Sequence, residues 1–126
     1  MTLKNLIILI IAALLLVGGA FYFLWMQERG SGEFDQFAMC LKDKGALFYG
    51  AFWCTHCQSQ KALFGSSKRY LPYIECSTPD SQGQLQVCKD QQIAVYPTWK
   101  FTDGSKVEGE LSLRELADKT GCQLPQ

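Results

Sequence analysis

The first fifth of the pattern is dominated by one long apolar run. From Leu6 to Met26 no position is charged and nearly all are apolar. As a helix rising 1.5 Å per residue, the run spans about 31 Å, close to the roughly 30 Å hydrocarbon core of a bilayer. No helical phase offers a polar face, which argues against a half-buried helix of a soluble domain. Tyr22 and Trp25 fall near its C-terminal end, where interfacial aromatics sit. The expected reading is an uncleaved membrane anchor over 1–27. The rival is a cleaved signal peptide ending at Gly18-Gly19-Ala20, but Phe21 to Met26 carry the apolar run past that point.

Beyond the run the pattern shortens and alternates. Gly30-Ser31-Gly32 marks a flexible linker over 28–32. Phe34, Phe37, Ala38 and Leu41 recur at helical spacing, and Lys42-Asp43-Lys44-Gly45 closes that helix. Ala46 to Phe52 reads as a buried strand, Thr55 to Phe64 as a helix and Gly65-Ser66-Ser67 as its exit. Leu71 to Cys76 is a second strand and Gln82 to Asp90 a polar helix. Pro97 to Thr102 and Lys106 to Glu110 flank Asp103-Gly104, a hairpin signal. Ser112 with Glu115 forms a capping box, Leu113, Leu116 and Ala117 supply an inner face, and Gly121 is placed to end the last helix. The order αβαβαββα fills a domain over 33–126.

Composition narrows the setting. Lys and Arg number 12 and Asp and Glu 12, which gives no basic surface for nucleic acid. Six cysteines in 126 residues point to an oxidising compartment, and the even number allows all to pair. Lys4 and the N-terminal amine precede the apolar run, while Glu28 and Arg29 cancel after it. The positive-inside rule then expects a single-pass protein in the cell membrane, N-terminus cytoplasmic and cysteine-rich domain outside.

Cys54-Thr55-His56-Cys57 holds the candidate chemistry. Two cysteines two residues apart, between an apolar strand and a polar helix, have the layout of a redox dithiol. Cys54 falls at a helix N-terminus, where orphan N–H groups and the helix dipole favour thiolate. Zinc sites use the same spacing, yet they need four convergent ligands, and no second CxxC or Cys-x-x-His occurs. Gln58 excludes the usual c-type haem attachment, which needs histidine there. No metal and no cofactor is expected beyond the Cys54–Cys57 disulfide itself.

The element order resembles the thioredoxin fold, an α/β architecture with a central mixed sheet flanked by helices. Phe52-Trp53-Cys54-Thr55-His56-Cys57 matches its active-site loop and Ile93-Ala94-Val95-Tyr96-Pro97-Thr98 its cis-proline loop. The words Tyr49-Gly50-Ala51-Phe52-Trp53-Cys54, Pro72-Tyr73-Ile74-Glu75-Cys76 and Tyr96-Pro97-Thr98-Trp99 resemble the thioredoxin-like domains fused to or partnered with vitamin K epoxide reductase homologues. The resemblance covers about Glu33 to Gly121. It implies that Cys54 attacks and Cys57 resolves, that Pro97 is cis and faces the dithiol, and that Trp53, Thr55, Tyr96 and Thr98 border the substrate. His56 is expected to stabilise the Cys54 thiolate, its bland alternative being an exposed polar residue starting a helix; for Trp53 the alternative is core packing. Where many relatives carry a buried carboxylate, six positions before the first cysteine, this chain has Phe48, which leaves three alternatives: proton transfer through water, through another acid such as Glu75, or work mainly in the oxidising direction.

The same resemblance implies cysteines at Cys76 and Cys88, read either as a structural disulfide or as a relay pair. It also brings the helix ends carrying Cys40 and Cys122 to one face, where the two could meet in a bridge that the family pattern does not itself require. The leading functional expectation is a membrane-anchored, exoplasmic thiol–disulfide oxidoreductase acting on thiols of exported polypeptides and reoxidised by a quinone-linked membrane partner of the vitamin K epoxide reductase type. Two alternatives stand beside it: a tethered reductase of the cytochrome-maturation kind, and a non-catalytic, disulfide-stapled module for binding or metal delivery.

Overall fold

The computed structural model describes residues 2–27 and 32–126. Apart from Gly32, the expected linker, with Glu28 and Arg29, lies outside the described residues. The chain divides into two units, Met1–Gly30 and Ser31–Gln126. In the first, helix α1 runs Leu3–Gln27 without interruption, and its 25 residues span about 37 Å. By length and composition it is long and apolar enough to cross a membrane, a property that a signal sequence shares.

The second unit is built on a four-stranded mixed sheet. Its strands are β1 (Leu47–Gly50), β2 (Tyr73–Glu75), β3 (Thr98–Lys100) and β4 (Lys106–Glu108), in spatial order β2-β1-β3-β4. β1 pairs parallel with β2 and antiparallel with β3, which pairs antiparallel with β4. The helices are α2 (Asp35–Asp43), α3 (Thr55–Ala62), α4 (Gln86–Asp90) and α5 (Leu113–Thr120), so the expected order αβαβαββα is the order observed.

Side chains along a strand alternate between faces, and here both faces are covered. Phe48 points into a cluster with Phe37, Leu41, Phe64, Trp99 and Leu116, whereas Tyr49 joins Cys76, Cys88 and Ile93 on the other side. The strand register lines up Tyr73, Phe48, Trp99 and Val107 as neighbours across the sheet. Phe48 stacks on Trp99 with centroids 4.8 Å apart and meets Tyr73 edge-on at 5.2 Å. Such pairs add about 0.5–1.5 kcal/mol each beyond their buried area.

The helices follow their local signals. In α2, Phe37, Ala38 and Leu41 are buried, and Phe37 stacks on Phe64 at 5.9 Å. The Ser112–Glu115 capping box starts α5, and Gly121 ends it at φ +73°, a left-handed conformation that costs glycine little. In the hairpin, Gly104 N–H donates to Phe101 O (3.0 Å) and Phe101 N–H to Ser105 O (2.9 Å).

Several boundaries differ from the sequence expectation. Each strand is shorter by two or three residues in all, because the flanking residues turn out of the sheet to form loops. α3 stops at Ala62, and Gly65, at φ +52°, leads into a 3₁₀ turn over Gly65–Tyr70 rather than a plain exit. The largest correction concerns α4, expected from Gln82 but starting at Gln86. The preceding residues fold back instead: Thr78 N–H donates to Gly83 O (2.9 Å), Leu85 N–H to Cys76 O (2.7 Å), and Asp80 Oδ1 accepts from Thr78 Oγ1 (2.6 Å) and Gln82 N–H (3.1 Å). Short polar side chains that bond nearby backbone compete with helix in this way.

Two disulfides tie the domain. Cys40 at α2 bonds Cys122 beyond α5, with Cα atoms 5.9 Å apart and a sequence separation of 82; for Cys76–Cys88 the separation is 12. In the chain-entropy model the longer loop contributes about 4–5 kcal/mol and the shorter about 3 kcal/mol. Replacing Cys40 and Cys122 with serine is therefore expected to lower the urea midpoint more than the same change at Cys76 and Cys88. Unfolding curves of the two double variants check that order.

Candidate active site

The CxxC segment bridges the end of β1 and the start of α3. Ala51 O accepts from Cys54 N–H (3.0 Å), turning the chain so that Cys54 becomes the N-cap of α3. Its Sγ then accepts the backbone N–H of Cys57 at 3.1 Å, the place an N-cap oxygen ordinarily fills. Both cysteines are free thiols, Cys54 7% exposed and Cys57 fully buried. The N-cap position puts one sulfur at the rim; one helical turn puts the other inside.

That asymmetry sets the acid–base chemistry. Burial, then the neighbouring Cys54, pushes the Cys57 thiol up to about 12. Gly50 lies directly beneath. A Cβ there would stand 2.9 Å from Cys57 Sγ and 2.9 Å from Tyr73 Cε2, so only glycine leaves room for the sulfur and the ring together.

Around this pair lie groups drawn from distant parts of the chain. His56, 75% exposed, places Nδ1 2.6 Å from Glu110 Oε1 on the loop between β4 and α5. Its observed polar partner is thus Glu110, whereas the sequence pointed to Cys54. That loop is held by buried Gln60, which donates to Leu111 O (2.9 Å) and accepts from Leu111 N–H (2.7 Å) and Trp99 Nε1–H (3.1 Å). Trp53 is half exposed; its Nε1–H donates to Ser77 Oγ (2.8 Å) and its ring meets Tyr96 edge-on at 5.9 Å. This contact brings the loop before Pro97 beside the CxxC segment, and the Tyr96–Pro97 bond is cis. Phe52, Trp53 and Val95 are exposed apolar side chains of these two loops.

Two other expected border residues separate. Thr55 is exposed in the first turn of α3, whereas Thr98 is buried and donates its hydroxyl to Val95 O (2.7 Å), fixing the loop from inside. Cys76 and Cys88 are bonded and buried beneath Tyr49, and Cys40–Cys122 belongs to the helix ends.

Residues that sequence reasoning missed include Gln60, Lys61, Tyr73 and Glu110. Gln60 and Lys61 lie three and four positions past Cys57 on α3, a spacing that signals a shared helix face. For Tyr73 and Glu110 no local signal existed. Glu75, named only as a candidate acid, accepts from Tyr73 OH (2.8 Å), Ser77 N–H (2.9 Å) and Phe52 N–H (3.2 Å).

No family model matches the chain. It is similar to thiol-disulfide oxidoreductase LTO1 of Arabidopsis thaliana, 43% identical over 91 residues that cover 68% of this chain and 24% of that protein. It is also similar to the thioredoxin domain-containing protein 5 homolog of Drosophila melanogaster, 33% identical over 103 residues, covering 71% and 24% respectively. The fold is thioredoxin-like. The chain spans about a quarter of the length of these relatives.

The high Cys57 value carries a sign for stability. The reduced native state keeps a proton that the unfolded thiol loses near pH 9.0, so this stabilisation is complete below about pH 9 and is lost as pH rises towards about 12. The oxidised protein lacks the thiol. Urea midpoints at about pH 8 and about pH 10 are expected to fall further for the reduced than for the oxidised form.

Proposed function

We propose that this chain is a membrane-anchored, exoplasmic thiol–disulfide oxidoreductase that passes its Cys54–Cys57 disulfide to thiols of exported polypeptides. The observation that carries the reading is the paired placement of two free cysteines, one at the rim and N-cap of α3 and one buried a turn behind it. Similarity to a protein named thiol-disulfide oxidoreductase supports it.

In the oxidising direction a substrate thiolate attacks Cys54 Sγ of the disulfide. A substrate–Cys54 bond forms, the Cys54–Cys57 bond breaks, and Cys57 leaves as thiolate. A second substrate thiolate attacks its own sulfur in the mixed disulfide and expels Cys54 thiolate. The substrate has lost two electrons and gained a disulfide; the protein holds those electrons as a dithiol. The same steps run backwards make the chain a reductase, with Cys57 resolving the mixed disulfide. In both, the backbone N–H of Cys57 at the helix N-terminus donates to Cys54 Sγ. The exposed Phe52, Trp53 and Val95 suit an unfolded or extended client, and the backbone near Tyr96 suits pairing with it.

Electrons leave, in this reading, to a quinone-linked membrane oxidase of the vitamin K epoxide reductase type. Support for that partner is the likeness of the CxxC and cis-proline words to the group's. The apolar helix Leu3–Gln27 supports the anchor, and Lys4 in its first turn, ahead of the uncharged run, supports a cytoplasmic N-terminus. Against a fully stapled binding module stand the unpaired Cys54 and Cys57 beside two formed disulfides.

The reduction potential of Cys54–Cys57, titrated in glutathione buffers with Cys57→Ser as control, tests the direction. A value more oxidising than about −200 mV is expected; one near about −270 mV turns the reading to a reductase. A pair that resists reduction while the fold persists overturns the exchange reaction itself. Cys54→Ser is expected to abolish turnover in oxidative refolding of a reduced client.

A further inference from the structure

Either direction of exchange requires negative charge on Cys57, as leaving group or as nucleophile. Its sulfur is nevertheless fully buried, and β1, two positions before Gly50, offers only the apolar Phe48 in the same core cluster. A charge in that place needs a partner close by.

Lys61 has the position for it. It follows Cys57 by four residues on α3, so both project from one face of the helix. Its ammonium lies 3.3 Å from the centroid of the Tyr73 ring. That ring and Cys57 Sγ share the space left free by the missing Gly50 side chain. On the far side the Tyr73 hydroxyl donates to Glu75 Oε2 at 2.8 Å, while Glu75 Oε1 accepts the backbone N–H groups of Phe52 and Ser77, the first of them in the CxxC loop. Glu75 is thus held in place by three hydrogen bonds, and its charge favours the ammonium form of Lys61.

We propose that Lys61, seated on the Tyr73 ring and balanced by Glu75, is the electrostatic partner that stabilises the Cys57 thiolate during exchange. The inference rests on the oxidoreductase reading and adds to it the residue that makes its buried sulfur usable. An aromatic face binds a partly desolvated ammonium, so the cation is kept near the sulfur without a full hydration shell. Lys61 is half-buried, which favours its neutral form, whereas Glu75, Cys57 and Cys54 favour the charged one; Lys68 is a further cation nearby. Tyr73 is itself pushed up by burial and by Glu75, so it stays neutral and serves as a seat. When Cys57 departs from the disulfide, its new charge is favoured by the field of the ammonium. When it resolves a mixed disulfide, its proton passes to water and the same cation lowers the cost of losing it.

The test reads ionisation rather than turnover. In the reduced Cys54→Ser protein, full chain in detergent micelles, the Cβ carbon shift of ¹³C-labelled Cys57 is followed from about pH 9 to about pH 13, a range that spans its raised value of about 12. The other four cysteines are disulfide-bonded and do not titrate, so one signal moves. Lys61→Met is expected to move the Cys57 titration upward by about one pH unit, a tenfold loss of acidity. Lys61→Arg, which keeps the cation, is expected to stay close to the parent. A Lys61→Met titration that superimposes on the parent overturns the proposal. An unfolded variant would instead titrate lower, near an ordinary thiol, and Lys61→Gln then takes its place with the same expectation and the same refuting result. No client or membrane partner enters the measurement, so its failure leaves the exchange reaction standing, and a failed potential titration leaves the Lys61–Cys57 coupling standing.

Discussion

The row Tyr73–Phe48–Trp99 across the sheet is the packing on which the site depends. Phe48 is fully buried between two aromatic neighbours, and its strand carries Gly50, whose missing side chain admits Cys57 Sγ. A carboxylate in place of Phe48 would bury a charge within an aromatic stack, at a cost that pairing must offset. Charged groups are accordingly displaced to the edge, where Glu75 on β2 and Lys61 on α3 meet around the Tyr73 ring. The core thus decides where ionisable groups near the dithiol can stand.

The difference between the two sulfurs comes from helix geometry. An N-cap residue sits half outside its helix with free N–H groups facing it, and a residue three positions later points into the protein. Cys54 gains a backbone donor in this way, and Cys57 loses water. Gln60, one turn after Cys57, extends the logic: its three hydrogen bonds join α3 to Leu111 and Trp99, and so hold Glu110 beside His56. A single short helix therefore aligns the dithiol, the imidazole and a loop more than fifty residues away.

The domain is small, and its sheet has only four short strands. A chain of this size buries a modest core, so covalent ties carry a large share of its stability. Cys40–Cys122 joins the first and last helices of the domain, whereas Cys76–Cys88 anchors the loop after β2 to α4 beneath Tyr49. Both leave the CxxC pair free to react, since neither shares a sulfur with it.

Much of this was legible along the chain. Helical and strand periods, the Asp103-Gly104 turn, the Ser112–Glu115 box and the CxxC spacing are local patterns, and each forms in its own segment because the physics that produces it acts within a few residues. They determined the element order, the long apolar helix and the identity of the two free cysteines' motif. Local competition already spoiled one element: the Thr78–Gly83 turn took residues expected in α4. What the tertiary structure alone decided is which distant side chains share a space. His56 meets Glu110, Gln60 meets Trp99, and Tyr73 lies between Lys61 and Glu75 because sheet register and helix packing bring them together. Periodicity reports which face a residue occupies; only the closing of the core says what stands opposite.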